Sequence, residues 1–566
     1  MKVLLNHVDY IEYEPVAKEI SSAEEADKSK RRLEELVVAF TAVESGDDEA
    51  VAQRAVAEIK ASLDRLGVKR LLLYPYAHLS QDLAPPQRAL QVLKAMEAEA
   101  SAVGLETHRA PFGWNKAFEL RVKGHPLAEQ SKVFVAAGQP SAPAKQVRKR
   151  PELSEEEMLA KVKKSDFAGL PDTDHRVIGE KLDLFSFQEP SPGMVYWHDR
   201  GVKLRNLLMD YIRSENSKRG YIEISTPALA NTVLWRVSGH WDHYKDNMFI
   251  THLGDEEFGL KPMNCPSTFL FYKTRKWSYR DLPLRVADFD QLYRNELSGV
   301  ASGLFRVKVL TQDDAHLFVT EEQIEPEIRG LIDVLKKWYG IFNLTYTLKI
   351  STMPDDHIGS VEQWDAATSI LRKVVQEAGI VPVIKEKEGA FYGPKIDVDI
   401  KDSLGREWQC ATIQLDYQMP KRFKLTYVGA DGADHTPIVI HRVIYGSLER
   451  FIGIITEHFQ GKFPVWISPL QVRVITVSDD NAEYAKKVFG LLQEGGIRAD
   501  ADLASGTVGA KIRQAQLEKL PYMLVIGKKE QDSGTVSVRS RDGQVRYGVK
   551  AEDFLNEVRQ KVKEFS

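Results

Sequence analysis

Between Ala142 and Leu170 the chain gives up almost all of its large apolar residues: KQVRKR is followed by PELSEEEM and KVKKSD. Blocks of like charge resist burial, so this stretch reads as a charged linker, in part helical. It separates a short front from a long body. Residues 1–143 read as a compact α/β unit with strands at Lys2–Leu5, Leu36–Phe40 and Lys69–Tyr74. Helices at Asp47–Leu66 and Pro86–Val103 each meet a glycine stop, Gly67 and Gly104. Such alternation argues for a sheet with helices packed on it. Beyond the linker (144–171), residues 172–466 are rich in aromatics and strand-like runs. There a helix at Asp199–Glu215 leads into Gly220-Tyr-Ile-Glu-Ile-Ser-Thr-Pro227. Residues 467–566 return to an α/β pattern: strand Val472–Val477, helices Ala482–Glu494 and Val508–Leu520, strand Met523–Ile526. At about 150 residues per domain, three or four domains are expected. No internal repeat or low-complexity tract is visible.

Composition narrows the class. With 43% hydrophobic and 28% charged residues the chain reads as globular. No apolar run approaches the ~18 residues that a membrane span needs. The start, MKVLLNHVDYIEYEP, puts acids where a signal peptide needs a long apolar stretch. Two cysteines, Cys265 and Cys410, exclude a disulfide framework and fit a reducing cytoplasm. A net charge of −4 lacks the global basic signature of a nonspecific nucleic-acid binder. A local basic groove remains compatible with it.

Two groups in the middle domain carry chemistry. Arg294-Asn295-Glu296 precedes Leu304-Phe305-Arg306-Val307, and Gly446-Ser447-Leu448-Glu449-Arg450 comes much later. Alternation in a strand would put Arg294 and Glu296 on one face. Arginine forks suit phosphate and carboxylate, while the acid could accept from an amino group or position an arginine. A surface ion pair is the plainer reading. The second group is Cys265 in PMNCP, His316 in QDDAH and His441 in IHR. A thiolate and two imidazoles could bind zinc and leave a position open. Each alone is more ordinarily core or surface, and the spacing is not that of a zinc finger.

GYIEISTPAL, YRNELSGVASGLFRVKVLTQDDAHLF and IHRVIYGSLERFIGIITEHF resemble motifs 1, 2 and 3 of class II aminoacyl-tRNA synthetases. With MNCP, TQDDAH and HR at those places, and WRVSGHWDHY, FYGPKID and WQCATIQLD in order, residues 172–566 resemble threonyl-tRNA synthetases. The resemblance implies an antiparallel sheet flanked by helices and a homodimer built partly through motif 1. It implies L-threonine, ATP with Mg2+, and tRNA(Thr) as partners, in the cytoplasm and away from membranes. Arg294 and Arg306 would hold the phosphates and the activated carboxylate. Glu296 would meet the adenine amino group, and Arg450 would brace the triphosphate. Cys265, His316 and His441 would bind one Zn2+ per chain, and Asp314 would accept from the substrate hydroxyl. Tyr392, Lys395, Gln409 and Gln414 would line the pocket, with Gln312 also a substrate residue and Lys395 counted as catalytic. His240 would sit near the terminal ribose during transfer. The basic run Arg148-Lys149-Arg150 could graze tRNA phosphate or simply be solvated.

Valine lacks the hydroxyl that such a site engages, and a site of that kind can reject the analogue by about 10⁴–10⁵. Serine lacks only a methyl, worth roughly 1–3 kcal/mol, so a second, hydrolytic site is expected. MKVLLNHVDYIEYE, LLLYPYAHLS and RAPFGWNKAFELRVKGHPLAEQ resemble the editing domain of archaeal threonyl-tRNA synthetases, whose fold is that of D-aminoacyl-tRNA deacylases. His78, Lys116 and Glu129 are carried over as site residues; Asn115 stands where an aromatic is expected. GAKIRQAQLEKLPYMLVIGKKE and GTVSVRSRDG resemble the class IIa anticodon-binding module, with Glu530 and Arg539 at base-reading positions. The whole implies a multidomain α+β and α/β protein: deacylase-like front, class II antiparallel core, α/β anticodon-binding end. Two rivals are a seryl- or prolyl-tRNA synthetase, against which the separated Cys265, His316 and His441 argue, and a catalytically inert paralogue that binds RNA, against which Arg294, Glu296, Arg306 and Arg450 argue.

Overall fold

The computed structural model describes residues 1–20, 22–80, 82–123, 128–134, 155–161, 167, 169–296, 303–402 and 405–566. The chain divides into two compact units, Met1–Glu152 and Leu153–Ser566. Arg148-Lys149-Arg150 lies outside the described residues. Of the linker, Glu155–Lys161 is helical. Among the described residues no helix is long and apolar enough to cross a membrane.

The first unit is built on strands β1 (Lys2–Lys18), β2 (Arg31–Ala42), β3 (Arg70–Pro75), β4 (Glu106–Arg109), β5 (Trp114–Val122) and β6 (Glu129–Val133). They run in the order β4-β3-β2-β1-β5, and β6 also pairs with β1. Pairs made by β1 are antiparallel, whereas β2, β3 and β4 are mutually parallel. β1 runs far past the expected Leu5 because acids at Asp9, Glu12 and Glu14 mask an inward series of Val8, Ile11 and Tyr13. Helices α1 (Glu49–Leu66) and α2 (Pro86–Ala102) cover one face, packing on Val37, Ala39, Leu71 and Leu73. The alternate residues Leu36, Val38, Phe40, Leu72 and Tyr74 form a second core on the opposite face. Apolar residues on both faces make LVVAF a buried strand rather than an edge. At α1 the Asp48 side chain accepts from Val51 N–H, and Gly67 closes the helix at φ 67°. Gly67 is the stop expected from the sequence, and Asp48 is the N-cap that the structure adds.

The second unit centres on an eight-stranded sheet. In spatial order its strands are Val383–Lys385, Thr345–Ser351, Lys395–Lys401, Glu407–Asp416, Ile438–Val443, Asp314–Val319, Leu284–Asp288 and Ile222–Ile224. Six are antiparallel, and a parallel strand is added at each edge. Alternation sorts the side chains. Ala315, Leu317, Ile396, Val398, Ile413, Leu415 and Ile440 share the large core with Leu208, Trp338 and Phe451 of the helices Asp199–Lys218, Ile324–Ile341 and Leu448–His458. Their alternates Asp314, His316, Lys395, Asp397, Gln414, Asp416 and His441 face the other side. One period of two therefore builds both core and site floor.

The last sheet orders Ala499–Asp502, Val472–Thr476, Tyr522–Ile526, Val536–Ser540 and Val545–Val549, parallel over the first three strands and antiparallel after. The helix expected at Val508–Leu520 stops at Leu517, and Lys519 turns to φ 59°. Glu518 there ties the module to the main core, accepting from Arg200 at 2.6 Å and from Arg473 at 3.0 Å.

Candidate active site

His316 and His441 are direct neighbours across two antiparallel strands, and Cys265 opens the helix Cys265–Tyr272. One ligand atom from each lies within 4.8 Å of the others. All three are buried, and neither nitrogen of His316 has a hydrogen-bond partner. Burial above all, with the Arg442 guanidinium acting in the same direction, holds His316 well below the ordinary histidine range, so the ring is neutral. Burial and the carboxylates of Asp314 and Asp416 push the Cys265 thiol up. Two orphaned imidazole nitrogens beside a buried sulfur are costly as they stand. A soft S,N,N set of this kind fits a zinc-like cation, which would take up one of the two His316 nitrogens and stabilise the thiolate.

Asp314 adjoins this trio on the same strand. Burial pushes it up to about 6 against the pull of Arg442, Asn264 and Arg294. Asn264 donates to it at 3.3 Å and keeps its own carbonyl oxygen unpartnered. Tyr392 donates to Gln414, its ring 5.5 Å from that of His441. Gln409 donates to Asp397 at 2.7 Å, and Lys395 pairs with the same carboxylate at 2.8 Å. Gln312 bridges to Ser447 through its backbone. His240, 3% exposed, opens a short helix with its Nδ1 2.8 Å from Ser238 Oγ.

The arginines gather at the other end. The strand Gln291–Tyr293 stops one residue before Arg294. Arg294 and Glu296 therefore do not share a strand face as alternation suggested; the backbone turns there, Glu296 N–H donating to Arg294 C=O. Arg294 Nε donates to Pro262 C=O, while Glu296 pairs with Arg306 at 2.8 Å. Arg450 Nε donates to Phe305 C=O at 3.0 Å, and its Nη1 to Gln409 C=O at 3.2 Å. Burial, and then the like charges of Arg294 and Arg306, hold the Arg450 guanidinium below its ordinary range. Three mutually repelling forks make a receptor for a polyanion.

Sequence reasoning passed over the residues that hold this machinery. Asp397 braces both Lys395 and Gln409. Asp313, buried beneath the site, pairs with Arg442 at 3.0 Å and accepts from Ile444 and Tyr445 N–H. Arg442 is therefore structural although it adjoins His441. Asp174, His175 and Glu457 also lie within metal-binding distance of one another. Their atoms are committed, however: His175 Nε2 accepts from Leu304 N–H at 2.9 Å, and Nδ1 donates to Glu457 at 2.7 Å. Short spacing could not have revealed the partners of Asp313 and His175, because Arg442 and Glu457 lie 129 and 282 residues from them.

In the first unit a cavity of about 440 Å³ is lined by Tyr74, Tyr76, His78, Trp114, Asn115 and Lys116, among others. Lys116 Nζ donates to Pro111 and Trp114 C=O, 5.0 Å from the Tyr74 ring, and burial lowers it to about 8. Asn115 donates to Glu19, so this wall is polar where an aromatic was expected. Glu129 is not brought to the cavity: it is exposed on β6, opposite Asn6. At the carboxy-terminal end, the Glu530 oxygens already accept from Gly527 N–H and the Ser537 hydroxyl. Arg539 keeps its buried Nε unpartnered.

An antiparallel sheet carrying arginines at the ends of its loops is the architecture of a class II aminoacyl-tRNA synthetase core. Residues 248–459 match the tRNA synthetase class II core domain (G, H, P, S and T), and residues 471–561 match an anticodon binding domain. Residues 1–134 match the Archaea-specific editing domain of threonyl-tRNA synthetase. The chain belongs to the threonyl-tRNA synthetase family. It is 42% identical, with a TM-score of 0.67, to the RNA binding domain of threonyl-tRNA synthetase from Cryptosporidium parvum, covering 69% of this chain and 98% of that one. It is 50% identical over 385 residues to a threonine–tRNA ligase of Caldanaerobacter subterraneus, and 51% identical over 385 residues to one of Desulfatibacillum aliphaticivorans. Both matches cover 68% of this chain and span 60% of the relative's length.

Proposed function

We propose that this chain activates L-threonine with ATP and transfers it to tRNA(Thr), and that its first domain hydrolyses seryl-tRNA(Thr). The observation that carries the synthetic reading is the position of Arg294. Its Nε donates to the carbonyl of Pro262, three residues before Cys265, while Glu296, two residues on, pairs with Arg306 at 2.8 Å, which supports reading the trio and the arginines as one site. A threonine carboxylate oxygen would attack the α-phosphorus, and pyrophosphate would leave. This step needs alignment and charge neutralisation rather than a protein nucleophile. Arg294, Arg306 and Arg450 would supply that, with Mg2+ accompanying ATP. Glu296 would exchange Arg306 for the adenine amino group, a change open to Arg306 because its side chain is half exposed.

Cys265, His316 and His441 would hold zinc, which when bound supplies a template and Lewis acid for an amino alcohol. Asp314 would accept from the threonine hydroxyl and leave valine unmatched. Tyr392, Gln414, Lys395, Gln409 and Gln312 would line the pocket. The ribose hydroxyl of the tRNA terminus would then attack the acyl carbon near His240, releasing AMP.

Residues 1–143 would form the editing domain, 144–171 a linker, 172–466 the catalytic domain and 467–566 the anticodon-binding domain. The cavity at His78 and Lys116 supports the editing assignment; Arg539, with an unmatched donor, is the better base-reading candidate than Glu530. Two free, buried cysteines accord with a reducing cytoplasm, and the half-exposed edge strand at Ile222 with a homodimer through motif 1. Amino-acid-dependent ATP–pyrophosphate exchange over threonine, serine and valine tests the reading. Exchange strong with threonine, weaker with serine and near background with valine is expected. Equal exchange with valine, or none with threonine, refutes it.

A further inference from the structure

Asp416, given no role in the proposed reaction, is fully buried and touches one member of the trio, His441. It sits two residues beyond Gln414 on the strand Glu407–Asp416, on the same face. Its Oδ1 accepts from Gln418 N–H at 2.8 Å and Met419 N–H at 2.9 Å, which fixes the carboxylate plane. Its Oδ2 lies 3.0 Å from His441 Nε2. An ionised carboxylate can only accept, so the proton between them belongs to Nε2. A neutral imidazole carries one N–H, and Nδ1 then keeps its lone pair. His316 lacks any such partner, since both of its nitrogens are unmatched.

We propose that Asp416 is a positioning residue that locks His441 in the Nε2–H tautomer and presents Nδ1 to the metal held with Cys265 and His316. The site is then asymmetric: His441 is preset by the protein, and His316 is oriented by the metal. A carboxylate behind a ligating histidine also raises the basicity of the ring, and loss of such a partner typically costs 10–100-fold in metal affinity. The inference rests on the zinc reading given under the proposed function.

Asp416→Asn is the informative change. Its amide oxygen can keep the two backbone N–H bonds, which leaves the NH2 group facing Nε2. That donor demands a lone pair on Nε2 and moves the ring proton to Nδ1. Zinc alone is the probe, titrated into the metal-free full chain in competition with a chromophoric chelator, with His441→Ala as the metal-loss control. One zinc per wild-type chain is expected, with affinity roughly 10–100-fold weaker in Asp416→Asn. Unchanged affinity in Asp416→Asn overturns the role of Asp416 and leaves the zinc reading standing; a wild-type chain that binds no zinc overturns both. A second measurement needs no folded Asp416 variant. Nitrogen NMR of histidine-labelled, metal-free wild type, with the His441 signal identified by its loss in His441→Ala, is expected to show Nε2–H. An Nδ1–H tautomer there overturns the proposal.

Discussion

Arg306 leaves half of its side chain in solvent and leans on Glu296, whereas Arg450 is part-buried and pinned by two backbone carbonyls. The first can follow a phosphate; the second forms part of the wall. Arg306→Ala is therefore expected to lower threonine-dependent pyrophosphate exchange by about 10²–10³, the usual cost of one preorganised charge-stabilising donor. Its thermal unfolding and tRNA binding should match wild type, and an unchanged exchange rate would remove Arg306 from the phosphate site. Lys116 poses a different problem: burial lowers it to about 8, below the 10.5 of an ordinary lysine. Between these values the unfolded chain binds the extra proton, so stability of the first unit rises with pH from about 8 to about 10.5. Below about 8 the penalty for charging the buried amine is fully present. Lys116→Met should abolish that rise and be more stable than wild type at pH 7, as read by denaturant unfolding across the range. A parallel pH dependence in both proteins would show that Lys116 titrates normally.

At the scale of elements, two contacts decide how segments are held. His175, at the start of the helix His175–Lys181, clamps the end of the loop that carries Arg306: it accepts from Leu304 N–H, and its ring lies 4.2 Å from that of Phe305. Phe305 stacks equally closely on Trp408, and its carbonyl anchors Arg450. His175→Ala leaves the buried Leu304 N–H without its acceptor, worth ~1–3 kcal/mol, while the Glu457 carboxylate keeps the backbone N–H at position 175 and Arg406. The expected result is a KM for ATP raised roughly tenfold or more with zinc content unchanged; an unaltered KM would make the clamp purely structural. Glu518 ties the last module to the main core. Burial alone would raise its pKa, but hydrogen bonds from Arg473, Gln514 and Arg200 overcome this and hold it at about 2. The stabilisation is complete above the ordinary carboxylate value near 4.5 and is lost as pH falls toward 2. Glu518→Gln should cost about 3 kcal/mol at neutral pH and flatten that acid limb, measured by urea unfolding of the second unit.

For the whole molecule, a chain lacking residues 1–143 is expected to charge threonine normally and to accumulate seryl-tRNA, because one methyl supplies only ~1–3 kcal/mol of discrimination. Following ester loss from supplied seryl-tRNA checks this, and equal hydrolysis by intact and truncated chains would take editing away from the first unit. Much of the architecture was legible beforehand. Gly67 stops its helix where the sequence placed the stop, by backbone freedom, whereas alternation misjudged Arg294 and Glu296, which lie beyond the end of their strand. Ordered motifs singled out Cys265, His316 and His441, which the structure brings together although they span well over a hundred residues. What the sequence determined is what short-range physics writes: caps, periods, and the chemical types of the reacting side chains. Only the tertiary structure decided that Arg294 and Glu296 sit beyond a strand end, that Glu129 lies off the cavity, and that Glu530 is already engaged. It alone assigned Asp313, Asp397, Asp416 and Glu457 as the braces. A buried carboxylate takes its partner from whichever chain segment the sheet brings within 3 Å, and no local pattern records that choice.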